Sequence, residues 1–533
     1  MSEQRKQTIS LCMIVKDEEK TLPACLDSVK SFIDEMIIVD TGSKDQTVNI
    51  ARHYGAKVFH IPWEHDFAKA RNVSLEHATG DWILHLDADE RLEPEDTKLL
   101  LSLLASDTAE AYFLQIINHL YESSGDKMVF PSIRLWRNRP EYRFTGALHE
   151  QISSSIMKRN PAKPMQLTQV RIHHYGYSQQ IVQEKNKTER NLKIALDEVK
   201  RHPGAPFARY NLAMEYARLN KNSEAIQQFQ QALDHLKQPK ELWVPNLYKN
   251  YANTLVKMRK FHEAIQLADE GIRHFPDYID LVYLKAGCHF NLGQIPQAVG
   301  LFHQCLVMPI NPRYPSQVGL NGFKTHNYLG YCYKKLNRPD EAIYHFRLAY
   351  LGNTQLKDSL NHLFGLIYRK ESMEQAEKQL VELLRPAKAG DYIELAKILL
   401  TYYQFARARH YLLQAEELEP ANQQVFFLLG VSSMREGNYP QAVYWFEKIS
   451  STFSEYTASR LYLYYCYVTL EDEDSARKLL PVIRQNEAMA RTLVKLYLEE
   501  AFHLLQEGLY YNQASSLIHS AHISQIREAM SRV

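Results

Sequence analysis

The chain has 533 residues and a nearly balanced charge, with 63 Lys and Arg against 62 Asp and Glu. This length predicts two or more domains, and a net charge of +1 gives no reason to expect a nucleic acid or an acidic membrane surface as partner. Six dispersed cysteines without a CxxC pair fit reduced thiols rather than a zinc motif or a disulfide framework. No apolar run reaches the length of a membrane span, and the run at 9–15 is too short for a signal peptide, so the sequence predicts a cytoplasmic protein without transmembrane helices.

Short β-rich runs alternate with helical patterns between residues 8 and 90. The strands are predicted at 9–15, 36–39, 58–61 and 82–86, and the helices at 21–32, 45–54 and 66–78. Such alternation is typical of a parallel sheet covered by helices, and continuous apolar runs suit strands that are buried on both faces. We therefore expect an α/β domain at the start of the chain.

Polar clusters follow three of these strands, at the edge where open α/β sheets bind ligands. They are Lys16-Asp17-Glu18, Asp40-Thr41-Gly42-Ser43 and Asp87-Ala88-Asp89. The third cluster places two carboxylates one residue apart, which suits a divalent cation held against substrate phosphates. Because an Asp-x-Asp at a strand end is by itself more often a solvated turn, its neighbours must decide between the two interpretations.

Five segments in this order resemble the nucleotide-sugar domain of family 2 glycosyltransferases: ISLCMIVKDEE, CLDSV, IIVDTGSKDQT, ARNVSL and GDWILHLDADE. Three later segments, RLWRN, GALHE and HHYGY, resemble the second half of a subfamily that includes bacterial lipopolysaccharide-core transferases and peptide transferases. The resemblance covers residues 8–195. It implies the GT-A fold, a nucleoside-diphosphate sugar as donor and Mg²⁺ or Mn²⁺ as cofactor.

The resemblance assigns nucleotide-sugar binding to residues that follow the first two strands. Lys16, Glu18 and Asp40 would lie at this site, with Asp40 accepting hydrogen bonds from the base or the ribose. An Asx turn at Asp40 is the structural alternative. Thr41 stands where the family commonly has a second Asp, so the identity of the base stays open.

The same resemblance divides the Asp-x-Asp motif into two roles. Asp87 and Ala88 would face the nucleoside, and Asp89 would hold the metal, which neutralises charge on the departing nucleoside diphosphate. His174 would complete the metal or phosphate site, although a lone histidine is more often an ordinary polar residue. Arg71 would meet the diphosphate, which a guanidinium suits geometrically, with a surface ion pair as the alternative.

Glu150 is the candidate general base. The acceptor must lose a proton as it attacks the anomeric carbon, so a carboxylate is needed on the face opposite the leaving group. A salt bridge from Glu150 to Arg134 or Arg143 would be equally compatible with the sequence. If Glu150 is the base, the resemblance implies a single displacement that inverts the anomeric configuration.

From about residue 206 onwards, small residues followed four positions later by a large apolar residue recur with a period near 34. The pattern resembles tetratricopeptide repeats over 206–486 and predicts an all-α solenoid, with the segment 309–322 as a loop on one of its faces. The many aromatic residues are expected to serve packing. The predicted domains are a GT-A domain at 1–195, a repeat solenoid at 196–486 and an atypical C-terminal helical cap at 487–533.

These expectations favour a metal-dependent, inverting, hexosyltransferase-type enzyme with a UDP-linked donor. Because solenoids offer an extended concave surface, a peptide or protein acceptor bound by the repeats is expected. A saccharide or lipid-linked acceptor and a scaffold with an inactive transferase-like domain are the alternatives. A nucleotidyltransferase ranks low because the glycine-rich basic loop after the first strand is absent. The sugar and the oligomeric state, including a homo-oligomer, stay open.

Overall fold

The computed structural model describes residues 7–106, 109–119, 127–160, 165–175, 181–237, 241 and 243–484. Contacts between residues divide the chain into two compact units, residues 1–359 and 360–533. The first unit contains a sheet and four pairs of repeat helices, and the second continues the helical pattern. The predicted cap at 487–533 lies outside the described residues.

A single mixed sheet forms the first part of the first unit. Its nine strands in the described chain are β1 (Ile9–Val15), β2 (Glu35–Asp40), β3 (Lys57–His60), β4 (Trp82–His85), β5 (Glu90–Leu92), β6 (Ala111–His119), β7 (Lys127–Arg137), β8 (Met165–His174) and β9 (Ser316–Gln317). Their order is β3-β2-β1-β4-β7-β6-β8-β5, with β9 beside β7. β1 runs parallel to β2 and β4, whereas β7 runs antiparallel to β4 and β6. The predicted α/β architecture is confirmed.

Five α-helices accompany this sheet in the described part of the chain: α1 (Leu22–Asp27), α2 (Thr47–His53), α3 (Phe67–His77), α4 (Thr97–Leu104) and α5 (Ser153–Arg159). A short 3₁₀ helix, Pro94–Asp96, precedes α4. The first helix ends at Asp27 rather than at Phe32 as predicted, because the chain continues in tight turns in which, for example, Ser28 N–H donates to the Cys25 carbonyl.

Strand β1 is buried on both faces. Leu11 and Met13 pack with Leu84 in a cluster on one face of the sheet, and Cys12 packs with Trp136 in a cluster on the other. A strand covered on both faces needs apolar residues at consecutive positions, which explains the continuous apolar run in this segment.

Helix α6 (Ile181–Arg201) leads into the repeats, and sixteen helices follow it in the described chain. In the first unit these are α7 (Pro206–Arg218), α8 (Asn222–Asp234), α9 (Val244–Lys257), α10 (Phe261–His274), α11 (Ile279–Asn291), α12 (Ile295–Val307), α13 (Phe323–Lys335) and α14 (Pro339–Gly352). Then come α15 (Lys357–Lys370), α16 (Met373–Leu384), α17 (Ala389–Thr401), α18 (Phe405–Leu418), α19 (Gln423–Arg435), α20 (Tyr439–Glu447), α21 (Tyr456–Thr469) and α22 (Glu473–Arg484). No described helix is both long enough and apolar enough to cross a bilayer.

The predicted pairing of small and aromatic residues holds the repeat helices together. Phe346 lies against Gly330, where a Cβ would come within 2.7 Å of its ring, and Phe446 lies against Gly430, where that distance would be 2.5 Å. Each glycine therefore allows an approach that any side chain would prevent. The predicted all-α solenoid is confirmed by these helices.

The segment 309–322 is more than the predicted surface loop. It carries β9, in which Ser316 pairs with Val129 and Gln317 with Met128 of β7. The repeats thus add a strand to the sheet of the N-terminal domain. This pairing depends on a contact between distant parts of the chain, so the local sequence pattern could not predict it.

Candidate active site

The loops after β1 and β2 are joined by reciprocal hydrogen bonds. Lys44 N–H donates to Asp17 Oδ1 over 2.7 Å, and Asp17 N–H donates to Ser43 Oγ over 2.9 Å. Asp17 has a φ of 55°, which turns the chain at the end of β1. Of the predicted donor-site residues in this region, Lys16 is exposed and Glu18 accepts a hydrogen bond from Thr21 Oγ1 over 2.7 Å.

Asp40, at the end of β2, is 3% exposed and organises its own turn. Its carboxylate accepts hydrogen bonds from the backbone N–H groups of Gly42, at 3.2 Å, and Ser43, at 3.1 Å, and its Oδ2 lies 3.2 Å from His60 Nδ1. Burial would raise the pKa of Asp40, but these partners outweigh it and lower the pKa. The Asx turn considered from the sequence is therefore present, and nucleotide binding by Asp40 stays a prediction.

Asp87 lies between Arg71, which is buried, and Arg134, which is partly buried. Its Oδ1 is 3.0 Å from Arg71 Nη2, and its Oδ2 is 3.3 Å from Arg134 Nη2. Burial would raise the pKa of Asp87, but the two guanidinium groups lower it well below its usual range. Arg134 also contacts Glu90 at 2.6 Å. Burial raises the pKa of Glu90 to about 7. The charge of Asp87 adds to this increase, and Arg134 opposes it.

Arg71 also reaches the candidate base. Its Nε contacts Glu150 Oε1, so one guanidinium on α3 holds both Asp87 and Glu150. The salt bridge of Glu150 is therefore made to Arg71, and the sequence interpretation had named Arg134 or Arg143 as the alternative partners. Arg71 is 8% exposed, so its ion pairs are buried rather than on the surface.

His85 is a central residue that the sequence interpretation missed. It is 2% exposed, its Nε2 contacts Arg71, and its Nδ1 lies 2.5 Å from Arg134 Nη1. Burial and the two neighbouring cations lower the pKa of His85 well below its ordinary value. A neutral imidazole accepts a hydrogen bond at only one ring nitrogen, so only one of these two arginine contacts is a hydrogen bond. The charges of both arginines are balanced by carboxylates, since both pair with Asp87. A histidine inside the apolar run of β4 was the sequence signal that could have found it.

Asp89 and His174 are brought together by the pairing of β5 with β8, in which Glu90 is opposite His174. His174 Nε2 lies 3.1 Å from Asp89 Oδ2, and its Nδ1 lies 2.6 Å from Asn118 Oδ1. A carboxylate oxygen and an imidazole nitrogen that a hydrogen bond orients through its other nitrogen fit a divalent cation. No group of three or more such ligands occurs in the described residues, so phosphates and water would fill the remaining positions.

The loop 146–151 carries Glu150 and packs against α7, the first helix of the repeats. Asn211 of α7 donates to the Leu148 carbonyl over 3.4 Å, and Leu148 packs with Leu212 of the same helix. His149 has a φ of 54°, and its Nε2 lies 3.5 Å from Oε1 of Glu215, also on α7. The loop that positions the candidate base is thus supported by residues beyond the predicted boundary at 195.

A cavity of about 500 Å³ opens above these groups. Arg71, Asp87 and Glu150 line it together with residues of the repeats, namely Trp243, Asn246, Arg313 and Pro315. The lining does not include Lys16, Glu18, Asp40, Asp89 or His174. Ala88 is buried in the apolar cluster with Leu84, so its side chain serves packing.

A second cavity, of about 630 Å³, lies along the repeats of the first unit and shares lining residues with the first, including His149, Gln151 and Trp243. Its walls come from α7, α9, α11 and α13 of the repeats, together with residues of β6, β7, the loop 146–151 and the segment 309–322. Six asparagines contribute to its lining: Asn118, Asn211, Asn246, Asn250, Asn253 and Asn291. The two cavities therefore adjoin beside the loop that carries Glu150.

Comparison with models of known families gives the same two parts. The family model described as glycosyl transferase family 2 matches residues 10–164, and a tetratricopeptide repeat model matches residues 394–452. In the structural comparison, the C-terminal part of a TPR repeat-containing protein from Cytophaga hutchinsonii covers 46% of this chain and 98% of its own, with 16% identity and a TM-score of 0.33.

Among curated proteins, a TPR repeat-containing protein of Synechococcus elongatus is 42% identical over 34% of this chain and 45% of its own length. The SPbeta prophage-derived glycosyltransferase SunS of Bacillus subtilis is 28% identical over 43% of this chain and 54% of its own. The chain thus spans about half the length of these two relatives. An uncharacterized glycosyltransferase of Rickettsia typhi is 31% identical over 39% of this chain and 73% of its own length. With this match, the chain belongs to glycosyl transferase family 2, and tetratricopeptide repeats follow its transferase domain.

Proposed function

We propose that this protein is a metal-dependent, inverting glycosyltransferase that moves a hexose from a UDP-linked donor to a peptide or protein acceptor. The observation that carries the proposal is the shared arginine. Arg71 contacts both Asp87 of the Asp-x-Asp motif and Glu150, so a donor-side carboxylate and a candidate base face one cavity.

On the donor side, Asp89 and His174 would hold Mg²⁺ or Mn²⁺. The cation would neutralise charge on the departing diphosphate when bound. Asp87 and the backbone at Ala88 would lie on the nucleoside side, with Lys16, Glu18 and Asp40 in the loops after β1 and β2 that end at the same edge of the sheet. The hydrogen bonds between these two loops support a preorganised wall, which lowers the cost of ordering when a nucleotide binds.

On the acceptor side, Glu150 would take the proton from the acceptor heteroatom as that atom attacks the anomeric carbon. The bond from this carbon to the diphosphate oxygen breaks, its electron pair leaves with the nucleoside diphosphate, and the anomeric configuration is inverted. Arg71 would keep the Glu150 carboxylate oriented before the acceptor arrives.

The second cavity, which adjoins the first and is lined by repeat helices, supports a polypeptide acceptor. Each asparagine amide offers both a donor and an acceptor, so the six asparagines of the second cavity match the alternating groups of an extended peptide backbone. A saccharide acceptor would also find hydrogen-bond partners there, so transfer to peptides and to oligosaccharides must be compared directly.

The test is a hydrolysis screen in which the full-length protein is incubated with UDP-, GDP- and other activated sugars, with Mg²⁺, Mn²⁺ or EDTA. We expect slow metal-dependent release of one nucleoside diphosphate, faster when a peptide acceptor is present. If no activated sugar is hydrolysed and no nucleotide raises the melting temperature, the protein acts as a repeat scaffold instead. Cell fractionation tests the predicted cytoplasmic location. Size-exclusion chromatography with light scattering on the purified protein tests for a homo-oligomer.

A further inference from the structure

The segment 309–322, inserted between α12 and α13, forms a strap that reaches from the repeats to the catalytic cavity. Arg313 and Pro315 of this strap line the cavity that also contains Glu150 and Asp87. The strap then continues into β9, which pairs with β7 of the transferase sheet. A repeat array does not need such an insertion for its own packing, so its position against the catalytic domain requires another explanation.

Buried polar contacts hold the strap in place. The carbonyl of Pro315 accepts hydrogen bonds from Lys249 Nζ, at 2.8 Å, and from the Tyr278 hydroxyl, at 2.9 Å. Ser316 Oγ donates to Asp280 Oδ2 over 2.5 Å, and Asp280 lies 3.6 Å from Lys249. All of these partners of the strap are on α9 or α11, or directly before α11.

Such a cluster contributes little net stability to the attachment of a loop. Lys249 and Asp280 are 8% and 5% exposed, and burying an ion pair costs desolvation that its attraction barely repays. What a buried polar cluster does provide is a defined register, because its groups are satisfied in one arrangement only. The cluster therefore fixes the strap relative to the repeats, and β9 fixes it relative to the sheet.

The residue displayed by this fixed strap is Arg313. Its side chain is exposed, and no carboxylate of the described residues lies within ion-pair distance of it. The cavity-lining arginines Arg71 and Arg134 differ, because their side chains are only 9% and 11% exposed and both pair with Asp87. Their charges are balanced further by Glu150 and Glu90. Arg313 therefore adds positive charge that nothing in the described part of the cavity neutralises.

We propose that Arg313 is a binding residue for an anionic group, phosphate or carboxylate, on a ligand of the catalytic cavity, supplied to the transferase domain by the repeat strap. The proposal rests on the proposed function, because it assumes that donor and acceptor meet in this cavity. The anionic group is either the diphosphate of the donor or a carboxylate of an acidic acceptor. A guanidinium binds either group through two parallel hydrogen bonds.

The experiment measures binding to the full-length protein by calorimetry, with two probes. One is UDP with Mn²⁺, and the other is a hexaglutamate peptide, with hexaglutamine as its uncharged match. The variants are Arg313→Gln, Arg313→Lys and the control Arg273→Gln, which changes an exposed arginine of α10 that lies outside the cavity. Since Arg313 is exposed, its replacement should leave the melting temperature unchanged.

If the donor supplies the anion, Arg313→Gln should weaken UDP binding about tenfold and slow acceptor-free hydrolysis of the donor. If the acceptor supplies it, Arg313→Gln should leave UDP binding and hydrolysis intact but abolish the preference for hexaglutamate over hexaglutamine. In either case Arg313→Lys should retain part of the binding, and Arg273→Gln should behave as the wild type.

The proposal is overturned if the wild type binds neither probe, if Arg313→Gln binds both as the wild type does, or if Arg273→Gln loses as much binding as Arg313→Gln. The hydrolysis screen distinguishes these outcomes from a failure of the proposed function, because it reports whether the wild type uses any activated sugar. A wild type that hydrolyses an activated sugar while Arg313→Gln changes nothing would leave the glycosyltransferase intact and remove only the role of Arg313.

Discussion

The imidazole Nε2 of His149 lies 3.5 Å from Oε1 of Glu215, a fully buried carboxylate on the first repeat helix. Glu215 is held in turn by Arg218 at 2.6 Å. His149 directly precedes the candidate base and has a φ of 54°, a conformation that costs a non-glycine residue about 1 kcal/mol or more. The first repeat therefore contacts a strained loop of the transferase domain, and we expect Glu215 to act as a positioning residue.

Replacing Glu215 by Gln should lower kcat for transfer about three- to tenfold, because His149 loses its charged partner and the loop samples unproductive geometries. The Kd for UDP should not change, since Glu215 does not line the cavity that contains Asp87. Steady-state kinetics and calorimetry separate these two effects. Glu224→Gln, an exposed change on α8, is the matched control, and an unchanged kcat in the Glu215 variant would contradict the positioning role.

Replacing Glu150 by Gln should reduce transfer by about 10²–10⁴-fold, because the amide cannot accept the acceptor proton. The shift in melting temperature produced by UDP and Mn²⁺ should persist, since the new amide side chain would still offer an oxygen to Arg71. Glu141→Gln, which changes an exposed carboxylate paired with Arg159, controls for the loss of one negative charge. Transfer at the wild-type rate would show that another group is the base.

Replacing Asp89 by Asn should abolish the stabilisation that Mn²⁺ adds to UDP binding, because a neutral amide is a much weaker cation ligand than a carboxylate. Differential scanning fluorimetry with UDP, with and without Mn²⁺, measures this. EDTA should reduce the wild type to the level of the variant. Glu95→Gln removes a carboxylate that is 81% exposed and should leave the response to Mn²⁺ intact; a full response in Asp89→Asn would place the metal elsewhere.

Glu35 offers a test of stability at the end of β2 remote from the site. Burial would raise the pKa of Glu35, but hydrogen bonds from Ser10, Thr79 and Lys57 lower it to about 2. Because the folded-state pKa is depressed, the stabilisation is fully present above the unfolded-state value of about 4.3 and is lost as the pH falls towards the folded-state value.

Glu35→Gln should therefore reduce the free energy of unfolding by about 1–2 kcal/mol at pH 7. The difference from the wild type should shrink by roughly half at pH 3. Thermal unfolding at both pH values measures it, with Glu76→Gln, an exposed residue of α3, as control. A difference that grows on acidification would mean that the carboxylate of Glu35 is not stabilised in the folded state.

Local sequence pattern was enough to predict the elements near the site. The strand predicted at 9–15 is β1, residue for residue, because consecutive apolar residues signal burial on both faces. The Asp-x-Asp motif was correctly expected after the fourth strand. The resemblance to family 2 glycosyltransferases, rather than local pattern, placed Asp89 and His174 at one site; they lie 3.1 Å apart, and their role as metal ligands stays a prediction.

What could not be predicted depends on contacts between distant segments. The placement of Arg134 beside Asp87 requires the antiparallel pairing of β7 with β4, and nothing in the segment RLWRN specifies that pairing. The support of His149 by Glu215 likewise joins two segments whose local patterns belong to different folds. Periodicity reports which face of an element is buried but not which distant residue covers it.

The pairing of β9 with β7 also bears on how the protein is made. On the ribosome, the edge of β7 around Met128 and Val129 stays unpaired until Ser316 and Gln317 have emerged, about 190 residues later, which at about 5–20 residues per second is on the order of ten seconds or more. An unpaired strand edge is a template for association with other chains. The nascent transferase domain is thus exposed to aggregation until its third repeat is complete, and chaperone demand should fall once the strap has docked.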